Sequence, residues 1–353
     1  MRSDPRALVI RAPNWIGDAV MALGAIREIR RIAPTARLAV AARPWVAGIF
    51  EESGAVDEIV ALERRTWRDT LANARALRAG RYDAAVLLQN AFEAALVARL
   101  AGISRVAGYP TDGRRLLLTD PVAIDRTVPR EHQSHYYMRI AAGFERALTG
   151  GTTVEVESPD CRLAPRAATR MRGREILTGE GVPPSAPVVL LNPGATNSRA
   201  KQWLPERFAA VGDAISERTG AYVVIVGSAG EVGTAERVAS AMRDRSRAVV
   251  LAGKTSVSEL VGLLSHAVAL VSNDTGPAHL GAALGIPTVT IFGPTEQFAT
   301  HPVGPRATIA HHPVDCAPCM LRDCPIDHRC MTRLEVADVL RAVESVVASG
   351  YSH

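Results

Sequence analysis

The chain is predicted to fold as a doubly wound α/β protein in two halves, and three observations predict it. Short apolar runs of four to seven residues alternate along the chain with stretches of helical period. Many of these runs end in turns of small and polar residues, as in Asn192-Pro193-Gly194 and Gly227-Ser228. The alternation pauses once, across residues 159–187, where proline-containing segments flank a single helix. A chain of 353 residues is long enough for a core on each side of that pause.

Taken in order, residues 6–12 form the first strand, and Asn14 to Asp18 the turn after it. Residues 19–32 are helical, with Val20, Leu23, Ile26 and Ile29 on one side. Strands are expected at 38–42, 59–62, 84–89 and 105–109, with helices at 67–81, rich in arginine, and 92–101. Residues 126–144 lead into another helix, and 150–158 form a short β-rich, polar passage. Beyond the helix at 166–178 come strands at 188–191, 222–226, 249–251, 268–272 and 288–292. Helices at 205–219, 233–243, 256–265 and 277–284 separate them, and 334–348 forms a terminal helix. Strands spaced by helices in this way imply parallel βαβ units. The expected architecture is two Rossmann-like domains facing across a cleft, with ligand bound at the carboxyl ends of the strands.

Composition narrows the function. Apolar residues make up 47%, and no run approaches the ~20 residues of a membrane span. The N-terminal apolar run is too short for a signal peptide, so a cytoplasmic location is expected. The net charge of +5 favours an anionic partner such as a nucleotide, an acidic lipid surface or nucleic acid. Lysine occurs only at Lys201 and Lys254, which draws attention to each.

Residues 267–294 concentrate the chemistry as strand, polar turn, helix and strand. Thr275 or Gly276 can cap the helix, and Pro277 suits its first turn. Such a helix start aims unpaired N–H groups and partial positive charge at one point, which suits a phosphate. Asp274 and His279 flank that point and are not needed to build the motif. Thr196 and Lys201 lie in a polar loop beyond the strand at 188–191, offering a hydroxyl and a mobile cation. Glu231 either caps the next helix or accepts hydrogen bonds from a ribose. Gly253-Lys254-Thr255 resembles the end of a phosphate-binding P-loop, but Ala248 stands where that motif needs glycine. Asp18 follows the first strand at a helix start; it is either favoured there by the helix dipole or serves as a general base. Cys316, Cys319, Cys324 and Cys330 are spaced x2, x4 and x5, with one C-x2-C pair rather than two. A structural metal, a disulfide and buried thiols all remain open for them.

Together these motifs resemble the ADP-heptose:lipopolysaccharide heptosyltransferases of glycosyltransferase family 9, along the whole chain. RAPNWIGDAVM (11–21), LNPGATNSRAKQWLPERF (191–208) and VSNDTGPAHLGAALGIPTVTIFGPT (271–295) carry the resemblance. The tryptophan before Ile16-Gly17-Asp18 and the cysteine segment are most similar to the heptosyltransferase II branch. The resemblance implies a GT-B fold, with an acceptor-binding domain at 1–164 and an ADP-heptose-binding domain at 165–332. The terminal helix, 333–353, is a segment able to pack back toward the first domain.

The implied reaction is inverting transfer of L-glycero-D-manno-heptose from ADP-heptose to the lipopolysaccharide inner core, onto heptosyl-Kdo2-lipid A. No cofactor and no catalytic metal are implied. Asp18 matches the general base, and Lys201 the lysine facing the diphosphate. Thr196, Glu231, Asp274, Thr275, Gly276 and His279 match donor-binding positions. His132, His135 and Tyr136 are candidates for the acceptor surface. Peripheral contact at the cytoplasmic face of the inner membrane is expected, with the basic segment 64–81 as its candidate, and nucleic acid is not an expected partner. The competing readings are a GT-B sugar-nucleotide 2-epimerase, which would leave the Asp18 motif unexplained, and a non-catalytic ADP-sugar-binding protein.

Overall fold

The computed structural model describes residues 4–63, 66–124 and 131–348. Arg64 and Arg65 of the basic segment, and residues 126–130 ahead of the His132 motif, lie outside the described residues. The contacts divide the chain into two compact units, Met1–Cys161 and Arg162–His353.

The first unit runs β1 (Ala7–Arg11), α1 (Ile16–Met21), α2 (Leu23–Ile32), β2 (Arg37–Ala42), α3 (Pro44–Glu51) and β3 (Glu58–Ala61). It continues as α4 (Trp67–Ala79), β4 (Ala84–Leu87), α5 (Phe92–Leu100), β5 (Arg105–Gly108), β6 (Asp120–Pro121) and α6 (Gln133–Thr149). The strands form one parallel sheet in the order β3-β2-β1-β4-β5-β6. The chain builds outward from β1 on one side, then returns to place β4 on the other. Strand order therefore reverses between β1 and β4, and a crevice opens beyond their carboxyl ends.

The second unit repeats the plan. It runs α7 (Ala167–Gly179), β7 (Val188–Asn192), α8 (Pro205–Thr219), β8 (Tyr222–Ile225), α9 (Val232–Ala241), β9 (Ala248–Val250) and α10 (Val257–Leu264). Then come β10 (Ala267–Asn273), α11 (Gly276–Ala283), β11 (Thr288–Phe292), α12 (Gln297–Thr300), β12 (Ala307–His311), α13 (Arg329–Thr332) and α14 (Val336–Ala348). All pairings are parallel, in the order β12-β11-β10-β7-β8-β9, so the reversal falls between β7 and β10. The strands β1, β7 and β11 are buried along their whole length; β1 and β7 are accordingly near-continuous apolar runs, whereas β11 carries the buried Thr288 and Thr290. The terminal helix α14 lies against β11, β12 and α8, with Val339, Val343 and Val346 buried in the core of the second unit.

Several elements differ from expectation. The helix expected at 19–32 is interrupted at Ala22. The short helix α3, opened by Pro44, and the edge strand β12 were not foreseen. No strand forms at 150–158. Two threonines there bond to a side chain instead. Thr152 Oγ1 (2.7 Å) and the Thr153 N–H (2.7 Å) donate to Glu145 Oε2, so β-branched residues serve a carboxylate rather than a ladder.

Candidate active site

The strand reversal between β7 and β10 sets two motif-bearing loops side by side, and two buried asparagines join them. Asn192, at the end of β7, donates to Ser272 Oγ (3.0 Å) and Thr275 Oγ1 (2.7 Å). Asn273, at the end of β10, donates to the Pro193 carbonyl (2.8 Å) and accepts from the Trp203 N–H (3.1 Å). An amide side chain has donors at one end and an acceptor at the other. Asn273 uses both, tying the loop after β7 and the segment beyond Lys201 to the tip of β10. The sequence marks both asparagines only as turn residues; the signal that would have found them is their place at strand ends on either side of the reversal.

Lys201 crosses the gap. Its Nζ lies 2.8 Å from Asp274 Oδ2 and 3.3 Å from the Asp274 carbonyl. Thr295, in the loop after β11, donates to the same Oδ2 at 2.7 Å. Asp274 is buried and Lys201 is partly exposed, so the ammonium stands between a buried carboxylate and solvent.

Thr275 occupies the N-cap position of α11, but its hydroxyl accepts from Asn192 and donates to the Asn273 carbonyl rather than capping the helix. The first-turn N–H groups therefore have no side-chain cap, and their partial positive charge lies beside Lys201 and Asp274. Gly276 is the first residue of α11, Pro277 follows it, and His279 is buried one turn on.

Glu231 closes a capping box with Ser228 on the one-turn 3-10 helix Ala229–Glu231 rather than capping α9. Its Oε2 accepts from the Ser228 N–H (2.7 Å) and hydroxyl (2.8 Å), and its Oε1 accepts from Thr196 Oγ1 (3.2 Å). Gly194 makes room for this carboxylate, because a Cβ at that position would lie 2.2 Å from Glu231 Cδ. Off the ends of β11 and β12, a cavity of about 210 Å³ is lined by Thr295, Gln297, His311 and His312 among others. The buried Gln297 Oε1 in this wall has no hydrogen-bond partner among the described residues.

In the first unit, Asp18 lies in the first turn of α1, just beyond β1. Tyr137 of α6, which the sequence did not single out, donates to Asp18 Oδ1 at 3.0 Å. Burial, reinforced by the Asp18 charge, holds the Tyr137 hydroxyl well above its ordinary pKa, so it remains a donor. Two tryptophans near the same strand end face solvent: Trp15 is 60% exposed and Trp45 54%. Trp45 is fixed by its indole N–H, which donates to the Asn14 carbonyl (2.8 Å).

The acceptor candidates on α6 also carry structural duties. His132 is the N-cap, its Nδ1 accepting from the Ser134 N–H (3.2 Å). Tyr136 stacks on Tyr109 with ring centroids 4.5 Å apart, and its hydroxyl accepts from Asn90. Burial pushes the Tyr136 hydroxyl up to about 12. His135 stands edge-on to His132 at 6.0 Å between ring centroids.

The four clustered cysteines form no disulfide. Cys316 and Cys319 are exposed, whereas Cys330 is buried, and burial pushes its thiol up to about 11. Among the described residues, no three His, Cys, Asp or Glu side chains are arranged to hold a metal ion. Nor, among them, is any helix long and apolar enough to cross a membrane.

Residues 70–329, well over half the chain, match the model for glycosyltransferase family 9 (heptosyltransferase). The chain belongs to that family. It is 27% identical over 314 residues to the lipooligosaccharide heptosyltransferase 2 of Haemophilus influenzae, covering 86% of this chain and 87% of the relative. It is 26% identical over 309 residues to the lipopolysaccharide heptosyltransferase 2 of Escherichia coli, with the same coverage of 86% and 87%. The solved structure of E. coli ADP-heptose lipopolysaccharide heptosyltransferase II matches with a TM-score of 0.83 at 22% identity, covering 98% of this chain and 100% of that one. The fold is therefore GT-B, and the family 9 protein described here is a glycosyltransferase.

Proposed function

We propose that this family 9 glycosyltransferase moves L-glycero-D-manno-heptose from ADP-heptose to a hydroxyl of heptosyl-Kdo2-lipid A, by a single displacement with inversion. The observation that carries the donor half is the convergence of Lys201, Asp274 and the uncapped start of α11 at one point. ADP leaves with growing negative charge, and a cation beside a helix N-terminus is suited to receive it. In this reading Lys201 exchanges its contact with Asp274 for one with the diphosphate. Thr196 and Glu231 lie at the end of β7 and beyond β8, where a ribose would be met. The cavity beside Thr295 suits the hydroxyl-rich sugar, with Gln297 Oε1 ready to accept from it.

Asp18 takes the acceptor proton as the acceptor oxygen bonds to the anomeric carbon and the bond to the phosphate oxygen breaks. Tyr137 holds the carboxylate in place for that transfer. Trp15 and Trp45 offer flat apolar faces on which acceptor sugars would stack. The exposed Arg68, Arg75 and Arg78 on α4 are the side chains that would meet an anionic lipid surface at the cytoplasmic face of the inner membrane.

A transfer assay with ADP-heptose against two acceptors tests this reading. Turnover is expected on heptosyl-Kdo2-lipid A, and turnover on Kdo2-lipid A alone would overturn the acceptor assignment.

Gly194→Ala tests the ribose reading. The group in its way is the far end of a flexible side chain, so Glu231 swings aside and stability changes by only about 1 kcal/mol or less. ADP affinity is nevertheless expected to fall severalfold, as read by calorimetry. A variant that binds ADP as well as wild type would remove Glu231 from the donor site.

A further inference from the structure

The cysteine-bearing segment between β12 and α13 lines part of the cavity beside Thr295, and it is also bonded to the loop that carries Lys201. Asn273 holds both ends of that loop and Thr196 is bonded to Glu231, but between them Asn197 and Arg199 are exposed. Ordering an exposed backbone costs about 1–2 kcal/mol per residue, so a lysine on such a loop needs something to hold it. Ala200, the residue before Lys201, is buried, and both of its backbone groups are taken by this segment. Its N–H donates to the Arg322 carbonyl at 2.9 Å, and its carbonyl faces His328 Nε2 at 2.7 Å. A carbonyl can only accept, so that ring nitrogen carries the proton. Ser198 Oγ adds contacts to the carbonyls of Leu321 (3.4 Å) and Arg322 (3.3 Å). The Arg199–Asp323 ion pair is too exposed to count for much.

The same segment grips a second loop. The Met320 N–H donates to the Pro294 carbonyl at 2.8 Å, next to Thr295. Cys330 and Met331 close against Gly293, where a Cβ would lie 3.2 Å from Cys330 Sγ and 2.8 Å from Met331 Cε. The two gripped loops thus deliver Lys201 and Thr295 to one oxygen, Asp274 Oδ2, at 2.8 and 2.7 Å. His328 is itself held in the left-handed backbone region (φ 54°), with its N–H donating to Cys324 Sγ at 3.3 Å.

We infer that the segment from Met320 to His328 is a strap that sets the position of Lys201 relative to Asp274 and Thr295, and that His328 is its positioning residue. The inference rests on the reading of Lys201 as the diphosphate-binding cation. It gives two of the four clustered cysteines a structural duty: Cys324 shapes the turn bearing His328, and Cys330 seats the strap against the loop after β11.

The test is calorimetric titration of the full-length protein with ADP. His328→Asn suits the left-handed backbone but is too short to reach Ala200, whereas His328→Gln places a donor near the position of the ring nitrogen. Lys201→Ala is expected to weaken ADP binding about tenfold or more, and His328→Asn about threefold to tenfold. His328→Gln should restore affinity to within about twofold of wild type. In the double variant, His328→Asn should add less than about twofold to the loss caused by Lys201→Ala, because both act through one contact.

If Lys201→Ala weakens ADP binding and His328→Asn does not, the strap is refuted while the diphosphate reading stands. The strap is equally refuted if the two losses multiply in full, or if the glutamine variant binds no better than the asparagine variant. Unchanged affinity in Lys201→Ala would remove the diphosphate reading itself, and the strap with it. Thermal unfolding of each variant separates these outcomes from loss of folded protein, since a purely structural role would lower the number of binding sites without changing affinity.

Discussion

Asp18→Asn is expected to slow heptosyl transfer by about 10²–10⁴-fold, the usual contribution of a positioned general base. Asparagine preserves the shape of the side chain and can still accept from Tyr137 at Oδ1, so α1 and its link to α6 should survive. What it cannot do is take a proton. ADP affinity should not change, because the nucleotide contacts proposed here all come from the second unit. Single-turnover kinetics with saturating donor isolate the chemical step from product release. Transfer at a rate comparable to wild type would show that another group accepts the proton, and loss of ADP binding would show that the substitution damages more than the base.

Asn273→Asp should cause the largest loss of stability among the substitutions considered, about 3–5 kcal/mol at neutral pH, as expected for an uncompensated buried charge. The side chain is fully buried. Its Oδ1 would still accept from the Trp203 N–H, but the atom that now donates to the Pro193 carbonyl at 2.8 Å would become an oxygen facing an oxygen. The introduced carboxyl avoids this only while protonated, when it can donate to that carbonyl, so its folded-state pKa is raised above its unfolded value. Between the two values the folded state holds one more proton than the unfolded state, and stability relative to wild type falls as pH rises. The expected slope is about 1.4 kcal/mol per pH unit above roughly pH 4. Denaturant unfolding of both proteins from pH 4 to 8 measures it. A difference independent of pH would mean that water or a shifted loop reaches the introduced group.

The division into legible and illegible parts follows the range of the interactions. The strand at 188–191 was readable because a strand covered on both faces is a near-continuous apolar run, and that at 288–292 because β-branched residues and phenylalanine fill it. The turn at Asn273 to Pro277 was readable because proline and small polar residues favour a helix start. Pairings between distant residues were not. Lys201 and Asp274 are 73 residues apart, and nothing local in either loop shows that they touch. Thr275 fell at the expected cap position but gave its hydroxyl to Asn192 and the Asn273 carbonyl, a choice made by tertiary contacts. Residues 150–158 have the composition of a strand, yet the carboxylate of Glu145 claims Thr152 and Thr153. Tyr137 sits in a run of aromatic and basic residues where only the fold reveals which side chain faces Asp18. The cysteine spacing is legible in the sequence, whereas the contact of His328 with the Ala200 carbonyl, 128 residues away, is not.

The pairing of β7 with β10 also has a consequence for how the site comes into being. Asn192 and Ser272 are 80 residues apart, with β8 and β9 laid down between them. The entropy of closing so long a loop must be met before either strand gains the other as a neighbour. Until that closure, Asn192 has no hydroxyl to reach and Asn273 no loop to hold. On the proposed donor reading, nucleotide would be recognised only by chains in which β7 and β10 have paired, which would make the donor a reporter of that step. By mass action it is a stabiliser as well: at a hundredfold excess over its Kd it would deepen the folded state by about 2.7 kcal/mol.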